Sequence, residues 1–511
     1  MRGMRNSRPI RFLTAALVAL AAGLTLAAQQ TRDPITHITE ADLKRDLFAL
    51  AGDETKGREG GTIDELSASV WLAERAREAG LQPAGDNGTY FQFFPLERFR
   101  VSPSSLVSLG GRSLRLGRDV VPDAVGLANI SAPLSPVTQE SLASAALKGT
   151  FAVIRYEPAP APANERAAGP GAANPLRSWA RGVHKTATSL GAVGTIVLVR
   201  ETAQDHWNRV AFSFSRGTYA LDPEGTADQR VAQRTAPLLY VRQSSLPDEL
   251  ASNSHAEIAL FTDSFTYPSV NVIAKVPGRD PKLRDEHVLF SAHQDHDGDR
   301  YPVQGDSIWN GADDNATTSV ALLAIGRAFA VSPARRSALF IWHGAEERGL
   351  MGSRWYVKKP TIPLKQIVAV LNGDMIGRND PKVAALLGAT APHRNSPEFV
   401  EMAYAANTAV SKFEIDTSWD DPGHKEGWYY RSDHLPYARA GIPALFFSTL
   451  LHPDYHTPFD NPDRIDIEKL TRMTKWMYAT GRAAADADEA PALDPAFKLE
   501  RCRDFTGNYC G

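Results

Sequence analysis

Cysteine is nearly absent from this chain of 511 residues, which has only Cys502 and Cys510. So small a number excludes a disulfide framework and any metal cluster that thiolates hold. A metal ion would have to be bound by histidine and carboxylate side chains. In an oxidising compartment we expect the two cysteines to close a small disulfide loop, and two free thiols on the C-terminal tail are the alternative.

The chain also lacks a strong net charge, because 56 Lys and Arg residues nearly balance 59 Asp and Glu residues. The formal net charge is -3, and the basic residues are scattered rather than gathered in one stripe. A nucleic acid or an anionic membrane surface would favour such a stripe. We therefore expect neither of them as a partner.

Long apolar runs are missing except at the N-terminus, where four arginines precede an uncharged run from Phe12 to Ala28. This order of basic head, apolar run and small residues is typical of a secretory signal peptide, which we predict over residues 1–29. A retained membrane anchor is the alternative, but a span requires ~20 apolar residues. The prediction implies a secreted or periplasmic protein without a stable membrane span after cleavage.

The composition changes twice along the chain. From about residue 101 to 262, short apolar runs alternate with loops rich in Pro, Gly and Ser, which indicates a separate mixed domain. We predict a discontinuous domain of residues 30–100 and 263–490, an insert at 101–262 and a C-terminal tail at 491–511. The turn residues at 86–88 predict that the segment 80–96 is a loop.

After residue 270, short apolar runs alternate with helical segments, which predicts an α/β sheet covered by helices on both faces. The predicted strands are Val272–Val276, Val288–Ala292, Ala338–Trp342, Ile367–Leu371 and Ala444–Phe447. His293 directly follows the second of these strands, Glu346 and Glu347 follow the third, and Asp374 follows the fourth. Functional groups in open α/β sheets collect at the carboxyl ends of strands. These side chains therefore predict a metal site at one edge of the sheet.

Histidine nitrogen and carboxylate oxygen are ligands that suit Zn²⁺. Two zinc ions ~3.5–4 Å apart need a carboxylate that bridges them, and the number of acidic residues here is sufficient. One acid must stay free of metal so that it can move protons. The adjacent Glu346 and Glu347 can fill these two roles, although a Glu-Glu pair is more often a solvated surface.

Six motifs in order carry a resemblance to a known family: "SAHQDH", "GADDNATT", "GAEERGLMGS", "LNGDMIGR", "SDHLPYARAGIPALFF" and "DYHTPFDNPDRID". They resemble the M28 family of zinc aminopeptidases over about residues 38–100 and 268–485. The resemblance implies the zinc exopeptidase fold, with a mixed, mostly parallel central sheet flanked by helices. It also implies two zinc ions per chain and peptide substrates that have a free N-terminus.

The resemblance implies five zinc ligands: His293, Asp314, Glu347, Asp374 and His456. In the family pattern His293 and Asp374 bind the first zinc ion, and Glu347 and His456 bind the second. Asp314 bridges the two ions.

Three further residues acquire roles from the same resemblance. Asp295 is expected to orient His293, and Glu346 to act as the general base that activates a metal-bridging water. Tyr455 is expected to stabilise the oxyanion that forms on the substrate. Asp313 is the rival candidate for the bridging carboxylate. Four other histidines match no ligand position: His296, His343, His434 and His452.

The insert resembles a small, β-rich protease-associated (PA) domain through the phrases "LKGTFAVIRY" and "LGAVGTIVLV". Within the same fold, a carboxypeptidase, a dipeptidase or a glutaminyl cyclase is an alternative to an aminopeptidase. A binding module without catalysis is the alternative from a different class. It would be expected to have lost a ligand or the base, and none is missing here.

Overall fold

A computed structural model describes residues 33–158, 174–221, 236–247 and 254–499 of the chain. The predicted signal peptide at 1–29 lies outside the described residues, as do Cys502 and Cys510 with their expected disulfide. Among the helices of the described part, none combines the length and apolar character that a membrane crossing needs.

The described residues form two sheets, one hairpin and their covering helices. The strands are β1 (Gln82–Pro83), β2 (Phe91–Val101), β3 (Leu106–Leu109), β4 (Arg112–Leu114), β5 (Val120–Pro122), β6 (Ala128–Pro136), β7 (Phe151–Tyr156), β8 (Gly194–Val199), β9 (Thr218–Ala220), β10 (Leu238–Arg242), β11 (His255–Leu260), β12 (Thr262–Val276), β13 (His287–His293), β14 (Gly298–Val303), β15 (Asp306–Trp309), β16 (Ser337–His343), β17 (Ile367–Gly373), β18 (Val383–Leu387), β19 (Glu414–Asp416) and β20 (Ala444–Ser448). The α-helices are α1 (Glu40–Leu50), α2 (Ile63–Glu78), α3 (Pro175–Ser189), α4 (Gln204–Arg216), α5 (Thr317–Val331), α6 (Met351–Lys358), α7 (Pro397–Ala406), α8 (His434–Arg439) and α9 (Ile467–Asp486).

The central sheet is mixed, as predicted, and has the order β19-β18-β20-β17-β13-β16-β12-β2-β9, with β1 paired to β12. Its middle strands β20, β17, β13 and β16 are parallel. Antiparallel pairs lie on either side of them, between β16 and β12 and between β18 and β20. All five strands predicted after residue 270 are present in this sheet. Since the middle strands are parallel, their carboxyl ends meet at one edge.

Helices cover both faces of the central sheet because its strands are apolar on both sides. On one face, Val288 and Phe290 of β13 join a core that includes α5 and α9. On the other face, Leu289 of the same strand packs in a second core with Tyr356 of α6 and Tyr437 of α8. Alternate residues of a strand point to opposite faces, so one fully buried strand serves both cores.

The inserted segment builds a sheet of its own, with the order β4-β3-β11-β6-β7-β8-β10-β5. Apolar residues of α3 and α4, such as Val183 and Trp207, pack in one core with residues of β7, β8 and β10. The short strand β9 lies between α4 and β10 in the chain but pairs with β2 of the central sheet. The insert therefore contributes an edge strand to the central sheet.

The prediction of a loop at 80–96 is wrong for its second half. Residues from Phe91 onward form β2, which pairs with β12 along its length. The side chains alternate as in a half-buried strand, with Phe94 and Leu96 buried and Phe93 49% exposed. Pro95 has no backbone N–H to donate, and its partner in the register is Pro268, which has none either. The ladder therefore loses no hydrogen bond in which one proline would have to donate to the other. The predicted turn at Asp86–Gly88 is present, but it ends before the strand begins.

Candidate metal centre

The five predicted zinc ligands come together in two groups that share Asp314. In the first group, His293 Nε2 lies 3.2 Å from Asp314 Oδ1 and 3.5 Å from Asp374 Oδ1. In the second group, His456 Nε2 lies 3.0 Å from Asp314 Oδ2 and 3.1 Å from Glu347 Oε1. Each oxygen of Asp314 therefore faces a different group, which is the arrangement that a bridging carboxylate requires.

The two groups fit zinc ions in chemistry and in spacing. Donors bound at ~2.0–2.1 Å in a tetrahedral arrangement lie about 3.3 Å apart, and the measured separations run from 3.0 to 3.5 Å. Among the described residues, the buried oxygens Asp374 Oδ1 and Glu347 Oε1 have no hydrogen-bond partner. A buried carboxylate oxygen without a partner is costly unless a cation satisfies it.

The backbone around Asp314 is held by a carboxylate that the sequence reasoning missed. Asp460, which is fully buried, accepts hydrogen bonds from the backbone N–H of Asp313 (3.0 Å) and of Asp314 (3.1 Å). The rival candidate Asp313 turns away from both groups, and its Oδ1 accepts from the backbone N–H of Gly377 at 2.7 Å. Burial and the neighbouring Asp460 raise the pKa of Asp313 well above its usual range.

A chain of hydrogen bonds orients Asp374. Ser432 Oγ donates to Asp374 Oδ2 at 2.8 Å and accepts from Asn372 Nδ2 at 2.7 Å. Ser291 Oγ in turn donates to Asn372 Oδ1 at 2.8 Å. The chain occupies Oδ2 of Asp374 and leaves Oδ1 facing the first group. Partners of this kind fix the geometry of a metal ligand.

A tight turn gives the adjacent glutamates different directions. It begins at Ala345, whose φ of 50° is left-handed, and strained backbone of this type is common at functional sites. The carboxylate of Asp295 accepts from the backbone N–H of Glu346 (2.9 Å) and of Glu347 (3.3 Å). Glu347 then reaches the second group, while Glu346 Oε2 stays 3.9 Å from His293 Nε2.

The environment separates the pKa values of these two glutamates. Burial raises the pKa of Glu346 well above its usual range, with the charge of His293 opposing and that of Glu347 adding to the shift. Burial acts to raise the pKa of Glu347 as well, but the neighbouring His456 and His296 together lower it to about 2. Pairs of acids with opposite shifts are typical of sites that divide proton transfer from charge stabilisation.

Asp295 lies beside His293, the residue that it is expected to orient. His293 Nδ1 lies 3.1 Å from the backbone oxygen of Asp295 and 3.9 Å from its carboxylate. A ring N–H that donates to this carbonyl leaves Nε2 free as a ligand. The backbone of Asp295 therefore orients the imidazole, and its side chain supports the glutamate turn.

Tyr455 and His456 form a stacked pair at the second group, with ring centroids 3.9 Å apart. The hydroxyl of Tyr455 accepts a hydrogen bond from Arg431 Nη2 at 2.9 Å. Burial raises the pKa of Tyr455 well above its usual range, against the effect of Arg431. The phenol is therefore neutral and keeps a proton that it can donate.

The imidazole of His296 also belongs to the second group, although no ligand role is predicted for it from the sequence. Its Nδ1 lies 2.9 Å from Glu347 Oε1 and 3.9 Å from Asp314 Oδ2. The donor atoms of His296, Asp314, Glu347 and His456 all lie within 4.8 Å of one another. The signal was present in "SAHQDH", where His296 is three residues after His293.

A buried carboxylate links this group to the insert. Asp297 Oδ2 lies 3.7 Å from His456 Nδ1, and Asp297 Oδ1 pairs with Arg216 at 2.8 Å and with Arg348 at 3.3 Å. Asp297 also pairs with Arg300. Burial opposes ionisation, but these arginines hold the pKa of Asp297 well below its usual range. Arg216 is the last residue of α4, so the insert reaches within two side chains of a predicted zinc ligand.

A cavity of about 340 Å³ lies beside this link, between the insert and the domain of the central sheet. Its lining includes Arg177 and Phe214 from the insert and Glu347 and Arg348 from the glutamate turn. The cavity thus reaches a residue of the second group from the side of the insert.

Solved structures define the fold class of the chain. The zinc aminopeptidase BSAP from Bacillus subtilis superposes with a TM-score of 0.55 at 18% identity, covering 90% of this chain and 99% of that one. An aminopeptidase from Aneurinibacillus sp. strain AM-1 gives a TM-score of 0.54 at 18% identity, covering 91% and 98%. The fold is that of zinc aminopeptidases with a mixed central sheet.

Sequence comparison adds a family match for the C-terminal half of the chain. Residues 271–481 match the model of peptidase family M28, so this part of the chain is similar to that family. A probable leucine aminopeptidase from Arthroderma otae is 30% identical over 217 residues, which are 40% of this chain and 54% of that protein. Aminopeptidase YwaD from Bacillus subtilis is 28% identical over 188 residues, 35% and 39% respectively. The chain therefore spans about half the length, or less, of these curated relatives.

Proposed function

We propose that the chain is an aminopeptidase that binds two zinc ions and hydrolyses the N-terminal peptide bond of peptides. The observation that carries the proposal is the position of Asp314 between two donor groups, with the free carboxylate of Glu346 beside them. The names of the relatives, a probable leucine aminopeptidase and a zinc aminopeptidase, support the same activity.

His293, Asp374 and one oxygen of Asp314 would hold the first zinc ion. The other oxygen of Asp314, with Glu347 and His456, would hold the second. Bound there, zinc would supply Lewis acidity, which would polarise the scissile carbonyl and lower the pKa of water to ~7.

Glu346 and Tyr455 perform the remaining chemistry in this proposal. Glu346 takes a proton from the attacking water and passes it to the leaving amine, since its carboxylate lies beside both groups, 3.9 Å from His293 Nε2, without belonging to either group. The Tyr455 hydroxyl, which Arg431 holds in place, donates a hydrogen bond to the carbonyl oxygen as negative charge develops on it.

The insert and the N-terminus complete the proposal. We propose that residues 101–262 form a PA-type domain, and that peptides reach the metal centre along the cavity of about 340 Å³ beside it. A cavity of this size accommodates a few side chains, so short peptides are the favoured substrates. We also propose export to the periplasm or the medium, on the strength of the predicted signal peptide at 1–29.

The decisive test replaces the proposed base. Glu346→Gln keeps the size of the side chain but removes its ability to accept a proton, so we expect both zinc ions to remain while kcat falls by about 10²–10⁴-fold. The measurements are zinc per chain by mass spectrometry and the release of p-nitroaniline from leucine p-nitroanilide. The matched control is Glu78→Gln, at the exposed end of α2. Normal turnover by Glu346→Gln would remove Glu346 from the mechanism.

Blocked substrates separate the alternatives of the same fold. An aminopeptidase cleaves a C-terminally amidated tripeptide and spares its N-acetylated form, whereas a carboxypeptidase does the reverse. A dipeptidase requires both ends free. A glutaminyl cyclase releases ammonia from an N-terminal glutamine without cutting the chain, and a binding module does none of these.

A further inference from the structure

Buried hydrogen bonds hold the loop that bears His296. The residue is fully buried, and its backbone N–H donates to the carbonyl of Arg58 at 3.2 Å. The fully buried guanidinium of Arg58 in turn donates to the carbonyl oxygens of Gln294 (2.7 Å) and Asn310 (2.8 Å). The loop that bears His296 is therefore tied to the loop that leads to Asp314.

Gly311 leaves the space that the imidazole occupies. Its φ is 57°, and a Cβ at this position would lie 2.3 Å from His296 Cγ and 2.5 Å from His296 Cδ2. No side chain fits there unless the ring moves. The local sequence therefore brings the imidazole of His296 close to Asp314 and Glu347.

The polar atoms around this ring lack the partners that burial normally requires. Among the described residues, neither ring nitrogen of His296 has a hydrogen bond of acceptable geometry, and Glu347 Oε1 has none either. His296 Nδ1 and Glu347 Oε1 are nevertheless only 2.9 Å apart. Two close atoms that do not point at each other are expected when both point at a common cation. Unpaired buried polar groups are rare in native proteins without such an explanation.

We propose that His296 is a fourth protein ligand of the second zinc ion, through Nδ1, beside Asp314, Glu347 and His456. The inference rests on the proposed two-zinc function and adds an asymmetry to it. The second ion has four protein donors, as structural zinc sites have, whereas the first ion has three and keeps an open position for substrate. The second ion is thus the tightly held one, and the first is the one that exchanges and meets the peptide.

Zinc binding at equilibrium tests the asymmetry without reference to activity. The full chain, its His296→Gln and His296→Ala variants and the control His343→Gln are dialysed against zinc buffers, and bound zinc per chain is measured. His343 is a matched control because it is also buried near the site, but its ring nitrogens pair with Asn271 and Tyr437. We expect both His296 variants to bind one ion more than about 100-fold more weakly, beyond the 10–100-fold effect of a residue that only orients a ligand. The control should bind both ions normally.

Cobalt substitution counts the coordinated imidazoles directly. Each histidine bound to high-spin Co²⁺ gives a strongly shifted, exchangeable ring N–H resonance in the proton NMR spectrum. We expect three such resonances in the wild type, from His293, His296 and His456, and two in either His296 variant with circular dichroism unchanged.

The outcomes distinguish this inference from the proposed function. The wild type could bind two metal ions and hydrolyse leucine p-nitroanilide but show only two resonances. That result would overturn the ligand role of His296, while the proposed aminopeptidase function would stand. An unchanged zinc affinity in both His296 variants would overturn it as well. A wild type that binds fewer than two ions would overturn the two-zinc proposal, and the inference with it.

Discussion

Ser432→Ala should weaken one zinc site and leave the other unchanged. The substitution removes the hydrogen bond from Ser432 Oγ to Asp374 Oδ2 and the acceptor of Asn372 Nδ2, both in the buried interior. Outer partners of metal ligands typically contribute 10–100-fold to affinity, so the first ion should bind about 10–100-fold more weakly. The second group makes no contact with Ser432 in the hydrogen bonds described, so its ion should bind as before.

The same substitution should lower the free energy of unfolding of the metal-free protein. A lost bond to a carboxylate and a stranded amide together amount to about 2–4 kcal/mol. The matched control is Ser411→Ala, since Ser411 is also buried and its Oγ donates at 2.9 Å to the carbonyl of Arg472 in α9. That single neutral bond is worth about 1 kcal/mol.

Two assays decide the matter, zinc dialysis and urea unfolding in the presence of chelator. The reasoning fails if Ser432→Ala binds both ions with wild-type affinity. It also fails if the variant loses no more stability than Ser411→Ala does.

Two other predictions concern the insert and the pH dependence of stability. Arg216→Ala removes one of the three arginines around the buried Asp297, so it should lower the free energy of unfolding in urea by about 1–3 kcal/mol and also lower kcat/KM. The control Arg200→Ala breaks an exposed pair and should change stability by less than about 0.5 kcal/mol. Equal effects of the two variants would contradict the role of Arg216 at Asp297. Burial lowers the pKa of His287 to about 4, whereas the unfolded chain has a value of ~6.5. The unfolded state therefore binds more protons between these values, and stability that is complete above pH ~6.5 should fall by up to about 3 kcal/mol as the pH drops through 4. His287→Gln should reduce this loss, and identical urea midpoints from pH 7 to 4 would refute the assignment.

The sequence predicted the strands that carry the ligands because their environment is simple. A fully buried parallel strand is a continuous apolar run, and the first polar residue after it marks its carboxyl end. His293 and Asp374 were found in this way, and both lie at or directly after the ends of β13 and β17. The pairing of ligands across the site came from the resemblance to the M28 family, since spacing along the chain does not say which loops meet.

The residues that support the ligands were missed for the opposite reason. Ser432 and Asp460 act through one or two hydrogen bonds each, and neither lies in a periodic pattern that would distinguish it from a surface residue. His296 was set aside because it matched no family position, although it lies close to the second group. The strand β2 was missed because Pro95 and the turn before it outweighed the alternation of Phe94 and Leu96 with exposed neighbours.

The insert leaves and re-enters the peptidase domain through neighbouring strands. Val101 at the end of β2 faces Thr262 at the start of β12, and partners across an antiparallel ladder are about 5 Å apart. A short hairpin could therefore close the chain at this point without changing the order of the remaining peptidase strands. The insert could therefore be exchanged for another domain at this point. The replacement would have to supply an edge strand in place of β9 and a cation in place of Arg216 beside Asp297.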